Sequence, residues 1–323
     1  MARIEAGRAD ERILVRLMGV TYGAADALLF ELERPDGSPL PGAKPGAHID
    51  LHLPIGLIRQ YSLLTPLATA TSYVIAVKRE ADGRGGSQWL HDQARVGMTF
   101  TISAPRNAFP LNERAAATLL LAGGIGITPI YAMFERLCDL GREVRLIYWC
   151  RSESHALFHK QLSGRPGVTL HYRDEPGRKS RPSIADALSS ASLETEIYCC
   201  GPDRMVAELE ANVGSLPPAL IHVERFKGNA GEPSAGAFTV KLARSGIELS
   251  VQSGETILNT LIAAGIDAPY SCEQGICGAC ETIVKAGRPL HQDAVRSPEE
   301  HDRRQTMMIC CSGSRSETLV LDL

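Results

Sequence analysis

Three cysteines share one short loop, Cys272-x4-Cys277-x2-Cys280, and 29 residues separate Cys280 from Cys310. Three thiolates from one loop and a fourth from a distant strand form a plant-type [2Fe–2S] ligand set. The loop, Ser271 to Cys280, also carries Gly275, Gly278 and Ala279. Small residues let backbone N–H groups approach bridging sulfides, and glycine tolerates φ > 0. A zinc site usually presents two close cysteine pairs, whereas Cys277 and Cys280 have only the lone Cys272 upstream. Disulfides are disfavoured, because Met1 to Glu5 is polar and lacks a signal-like apolar region. Cys310 and Cys311 are adjacent in Met307–Cys311, which reads as a strand. Strand neighbours face opposite ways, so one of the two meets the cluster, and Cys310 is assigned to it.

Other stretches carry anion-binding chemistry. Arg59-Gln60-Tyr61-Ser62 places a guanidinium, able to grip a phosphate in a fork, beside a flat aromatic with a polar tip. Gly83-Arg84-Gly85-Gly86-Ser87 opens the backbone ahead of a short helix over Gln88–His91, with Ser87 as its cap. A helix N-terminus with free N–H groups binds anions, so Gly85, Gly86 and Ser87 are assigned to a phosphate. Gly123-Gly124-Ile125-Gly126-Ile127-Thr128-Pro129 follows an apolar run and precedes a helical stretch. Strand, glycine loop, helix is a dinucleotide-phosphate arrangement, although the spacing is GGxGxTP and not GxGxxG. Cys200-Gly201-Pro202 ends a later strand. Cys199 beside it faces the other way, into the core.

These groups need elements to hold them. Short strands at 13–18, 28–32, 48–53, 73–77 and 99–102, separated by turns such as Asp36-Gly37 and Pro45-Gly46, predict a small antiparallel barrel over residues 1–110. From 111 to 226 the pattern alternates. Strands at 118–122, 144–150, 168–172, 196–200 and 221–226, with helices at 130–140, 184–188 and 203–212, predict a doubly wound α/β domain. Its ligands belong at the carboxyl ends of the strands. Arg151 and Ser152 follow the second strand, where a 2′-phosphate can be held, and Asp174 follows the third, where a ribose hydroxyl can be. Residues 227–237 read as a Gly/Pro/Ser linker. From 238 to 323 a hairpin, a helix over 256–264 and the cysteine loop predict an α+β domain of β-grasp type.

Bulk properties bound the remainder. The chain has 323 residues, 44% of them hydrophobic, a formal charge of −3 and a pI near 6.3. That is room for two or three domains, and it implies no affinity for nucleic acid or an anionic membrane. No apolar run is long enough to span a bilayer. The nine cysteines therefore imply a reducing, cytoplasmic setting. Residues 238–323 hold eight Lys/Arg against eleven Asp/Glu, an acidic surface suited to a basic partner.

Residues 238–323 resemble a plant-type ferredoxin, and the whole chain from about 10 onward resembles the phthalate dioxygenase reductase and vanillate demethylase reductase family. Arg59, Tyr61 and Ser62 match its RxYS flavin motif, Gly123 to Pro129 its NAD-binding start, and Cys200 to Pro202 its CGP motif. The resemblance implies FMN rather than FAD, NADH rather than NADPH, and a terminal oxygenase as electron acceptor. Arg59, Gly85, Gly86 and Ser87 then hold the flavin phosphate, and Tyr61 and Ser62 face the ring, with Ala76 and Lys78 counted in the same cofactor set. Gly123, Gly124, Gly126, Gly201, Pro202 and Asp174 serve the nicotinamide nucleotide. Thr128, Ser62 and Cys200 lie where nicotinamide meets flavin, and Phe226 covers the flavin as an aromatic lid. The same electron chain could serve a haem monooxygenase, a desaturase or another acceptor. A redox sensor or scaffold is the alternative from another class, and retention of Arg59, Thr128 and Cys200 argues against it.

Overall fold

The computed structural model describes residues 12–65, 70–174, 183–189, 191–214, 216–226, 236–296 and 298–323. These divide into two compact units, Met1–Glu224 and Arg225–Leu323. The expected barrel and α/β domains are thus one body. The division falls two residues earlier than expected, because the last strand of the first unit stops at Glu224 and not at Phe226. Most of the expected linker lies outside the described residues.

The first half of unit one is an antiparallel sheet of β1 (Arg12–Ala24), β2 (Ala27–Glu33), β3 (His48–His52), β4 (Ile58–Ser62), β5 (Ser72–Lys78) and β6 (Thr99–Ser103). Helix α1 (Gly86–Gln93) lies between β5 and β6 in the chain. The strand order is β4-β3-β6-β1-β2-β5, and a bridge between Leu63 and Ile75 joins the two outer strands. Alternate residues such as Ile13, Val15, Leu17, Ile49, Leu51, Ile75 and Val77 fill the interior. This is the period-two pattern that the sequence displays.

Its second half is a parallel sheet of β7 (Ala117–Gly123), β8 (Glu143–Cys150), β9 (Val168–Tyr172), β10 (Thr195–Cys200) and β11 (Ile221–Glu224), ordered β11-β10-β7-β8-β9. Helices α2 (Ile127–Asp139), α3 (His159–Leu162), α4 (Ile184–Leu188) and α5 (Asp203–Asn212) connect the strands. Leu119, Leu121, Ile147, Ile197 and Cys199 pack with α4 and α5 in one cluster. Strand alternation sends Leu120, Leu146 and Tyr148 to the other face, and α2 packs on β7, β8 and β10. The connections diverge between β7 and β10, which opens a crevice at their carboxyl ends.

Unit two is a mixed sheet of β12 (Phe238–Leu242), β13 (Glu248–Val251), β14 (Glu281–Ala286), β16 (Thr306–Met308) and β18 (Thr318–Leu321), with a small ribbon of β15 (Pro289–Leu290) and β17 (Gly313–Ser314). Strands β12 and β13 form the expected hairpin, and β12 pairs in parallel with β18. Helix α6 (Ile257–Ala263) starts at Thr256, whose hydroxyl accepts the Asn259 N–H at 3.1 Å. A second helix, α7 (Pro298–Arg304), leads into β16. Among the described residues no helix is long and apolar enough to cross a membrane.

Candidate functional site

Strand β4 carries Arg59, Tyr61 and Ser62, and a buried polar cluster on β3 fixes it. Asp50 and His48 stand opposite Gln60 and Ser62 in register. Buried Asp50 accepts from Gln60 Nε2 at 2.9 Å and from Arg106 at 2.6 Å. Burial, together with the Arg106 charge, lowers the His48 pKa to about 4, so its ring stays neutral.

The structure brings Arg59 to the glycine stretch. Its guanidinium donates to the Arg84 carbonyl at 3.2 Å, and a Cβ on Gly86 would sit 2.7 Å from Arg59 Nε. A cation and the start of α1 thus converge. Ser87 is not the cap. Gly85 holds that position at φ 83, without a side-chain bond to the helix. The Ser87 hydroxyl instead accepts the Glu80 N–H at 3.1 Å. A left-handed backbone at the cap favours glycine, which leaves the serine inside the first turn. Buried Ser62 and partly buried Tyr61 follow Arg59, and Ala76 is buried on β5. Lys78, at the end of β5, pairs with Glu80 at 2.8 Å.

At the crevice the glycines are there for close approach. A Cβ on Gly126 would meet the Cys200 carbonyl oxygen at 2.2 Å, and one on Gly123 would meet Pro202 Cδ at 2.7 Å. The loop after β7 therefore packs backbone to backbone on the Cys200-Gly201-Pro202 turn. Gly124 adopts φ 55. Thr128 is buried in the first turn of α2 and spends its hydroxyl proton on the Ile125 carbonyl at 3.1 Å. Cys200 is fully buried, and burial holds its thiol pKa well above the ordinary value. It can offer contact but not an easily formed thiolate.

A cavity of about 360 Å³ opens here, lined by Gly123, Gly124, Lys78, Arg151, Arg173 and Arg204 among others. Asp174, expected near a ribose hydroxyl, is held by two arginines. Its carboxylate accepts from Arg151 Nε at 3.1 Å and from Arg173 Nε at 2.9 Å. The Arg173 hydrogen bond, then the Arg151 one, lower its pKa.

Glu224 escaped the sequence reading. It stands opposite Cys200 in the parallel register, and its Oε2 is buried with no hydrogen-bond partner among the described residues. Burial pushes its carboxyl up to about 8. The signal was indirect: an acidic residue ending the strand beside the one that ends in Cys200. Phe226 falls in the second unit, where it is half-buried.

In unit two the cysteine loop runs with positive φ at Glu273, Gly275 and Gly278. The Cys272 sulfur accepts the Gln274 N–H at 3.3 Å, and the Cys277 sulfur accepts the Ala279 N–H at 3.4 Å. The Cys272 thiol lies within hydrogen-bonding reach of both the Cys277 and Cys310 thiols. Cys280 is buried alongside. Contact with the Cys272 thiol, and then burial, push the Cys277 thiol up. Crowded thiols resist ionising alone, whereas a bound metal deprotonates them outright. This donor set therefore fits an iron–sulfur cluster.

The expected strand through Cys311 is not there. It stops at Met308, and the N–H groups of Cys311 and Ser312 both turn back onto the Met308 carbonyl. Alternation thus cannot separate the two cysteines, but contacts do. Cys310 meets Cys272, whereas Cys311 lies against Gly275, where a Cβ would be 2.5 Å from its sulfur.

Comparison with known proteins agrees with this arrangement. Residues 240–313 match the 2Fe-2S iron-sulfur cluster binding domain, and residues 120–210 match the oxidoreductase NAD-binding domain. The chain is 44% identical to the phenoxybenzoate dioxygenase subunit beta of Ectopseudomonas oleovorans, over 96% of this chain and 97% of that one. Among solved structures it is similar to phthalate dioxygenase reductase, described as a modular structure for electron transfer from pyridine nucleotides to [2Fe-2S]. The TM-score is 0.78 and the identity 34%, over 97% of this chain and 98% of that one. It is also similar to an intact type IV self-sufficient cytochrome P450 monooxygenase, with TM-score 0.82 and identity 34%, over 97% of this chain but 41% of that one.

Proposed function

The chain belongs to the phthalate dioxygenase reductase family, and from that premise we propose that it carries electrons from NADH to a separate terminal oxygenase acting on an aromatic substrate. It is an oxidoreductase with an NAD-binding domain and a [2Fe–2S] domain, and FMN completes its cofactors. When bound, the flavin accepts hydride and the cluster passes single electrons.

The chain's own residues bind and orient. Arg59 and the N–H groups at the start of α1 receive the flavin phosphate, in a charge-assisted contact. Gly124 leaves open space where the nucleotide can approach the β7 loop, and Gly123 and Gly126 let that loop close on the Cys200-Gly201-Pro202 turn beside it. Cys200 provides a dry, uncharged wall at the nicotinamide end, with Ser62 and Thr128 as polar neighbours in the same assignment. Cys272, Cys277, Cys280 and Cys310 are the cluster ligands. The observation that carries this reading is the convergence of the Cys272 and Cys277 thiols of one loop with the Cys310 thiol from a distant part of the chain.

Steady NADH oxidation by the flavin- and cluster-loaded protein, with cytochrome c or ferricyanide as acceptor, tests it. A loaded protein that turns over neither acceptor refutes it in favour of a sensor. The similarity to the P450 monooxygenase supports a second reading, a haem acceptor. Faster reoxidation by a ferric haem monooxygenase than by a Rieske-type oxygenase would select it.

A further inference from the structure

Behind the cysteine loop lies a buried charged chain that the proposed function leaves unused. The side chains of His301 and Asp293 are both 0% exposed. His301 Nε2 faces the two Asp293 carboxylate oxygens at 2.9 and 3.0 Å, and its Nδ1 faces the Thr306 hydroxyl at 3.3 Å. That hydroxyl gives its own proton to Glu281 at 2.8 Å, and Arg296 grips Glu281 with two bonds of 2.8 Å. A carboxylate only accepts, so His301 Nε2 is the donor to Asp293, and His291 is stacked on the ring at 4.1 Å. His291, Asp293 and His301 bring three donor atoms within 4.8 Å of one another. The two rings are parallel to within 1°, however, and no ion can lie in both ring planes at once.

The pair is close to the ligands. The Ala294 N–H donates to the Gly275 carbonyl at 2.8 Å, and a Cβ on Gly275 would meet Asp293 Cα and Cβ at 3.1 Å. The Asp293 charge reaches the Cys311 thiol, which itself touches the Cys310 thiol. Glu281 directly follows Cys280, and Thr306 opens the strand leading to Cys310. The other charges near this chain are Glu300 and Asp293 beside Arg296, Arg304 beside Glu281, and Asp302 and Arg315 beside His291.

We propose that His301 is a positioning residue for electron transfer: by donating its Nε2–H to the Asp293 carboxylate behind Gly275, it disperses that group's charge and keeps the cluster easy to reduce. Reduction adds one electron to the cluster, and the pair itself exchanges neither electron nor proton. Asp293 also accepts the Val295 and Arg296 N–H groups, each at 3.2 Å, and a carboxylate that loses its His301 donor one backbone layer away would oppose that electron more strongly by Coulomb repulsion in a low-dielectric setting. The proposal rests on the assignment of Cys272, Cys277, Cys280 and Cys310 as ligands.

The test is a potentiometric EPR titration of the full-length loaded protein, with iron content measured on the same samples. His301→Gln removes the imidazole donor, leaves Asp293 to the Val295 and Arg296 N–H groups and lowers the midpoint potential, whereas Asp293→Asn removes the anion and raises it. Should His301→Gln lose iron, Thr306→Val removes the hydroxyl at Nδ1 together with its bond to Glu281 and gives a smaller lowering. Equal potentials in variants that retain iron and the native EPR line overturn the proposal. A native protein without a [2Fe–2S] signal instead overturns the ligand assignment itself.

Discussion

Replacing Glu224 by glutamine should change how the stability of the first unit depends on pH. In the folded chain burial raises this carboxyl from 4.5 to about 8. Between those values the folded state holds a proton that the unfolded state has released. Stability therefore falls as pH rises through this window and levels off above about pH 8. Each pH unit is worth about 1.36 kcal/mol, so the group costs about 4–5 kcal/mol at the alkaline end, an upper limit. Glutamine fills nearly the same volume and does not titrate. For a body this size, about 2–4 °C per kcal/mol translates to a relative gain on the order of 10 °C at pH 9 for Glu224→Gln. Thermal unfolding of both proteins from pH 5 to 9, followed by circular dichroism, reads this directly. All other titrating groups are common to the two proteins, so their difference isolates Glu224. Parallel melting curves across that range would show that Glu224 is ionised and solvated, and the reasoning would fail.

Four further outcomes are expected. Serine at Cys272, Cys277, Cys280 or Cys310 should lose or perturb the cluster while Cys311→Ser spares it, as read by iron content and EPR; the reverse result for Cys310 and Cys311 would exchange their roles. Arg59→Ala should weaken flavin binding roughly 10- to 150-fold, the loss of a charge-assisted bond of about 1.5–3 kcal/mol, as measured by flavin release on dilution. His48, lowered from 6.5 to about 4, is neutral when folded and charged when unfolded between those values. Stability should therefore drop by about 3 kcal/mol as pH falls from 6.5 to 4, and His48→Gln should flatten that decline in acid unfolding curves. Gly126→Ala should destabilise the first unit by about 1–3 kcal/mol and slow hydride transfer, because its methyl group meets the Cys200 carbonyl; an unshifted melt would mean that the loop yields freely.

Local chemistry makes much of this protein legible in its sequence alone. Alternating apolar residues such as Ile13, Val15 and Leu17 can bury only as strands, and the continuous run Thr118–Ala122 only as a strand covered on both faces. The cysteine spacing points to a cluster because three thiolates on one loop need little from the rest of the chain. The expectations that failed were those in which backbone geometry or distant partners decide. Ser87 lost the cap to Gly85 because that position is left-handed, and the strand through Cys311 ended early because two N–H groups turned back onto Met308. The pairing of Asp174 with Arg151 and Arg173, and the high pKa that burial gives Glu224, were likewise not legible in the sequence. The hydrogen bond between His301 and Asp293, eight residues apart in sequence, became visible only once both were buried behind Gly275. Periodicity and spacing act over a few residues and are written in the chain. Desolvation, charge pairing and close backbone approach depend on what folding brings alongside, and only the tertiary structure decides them.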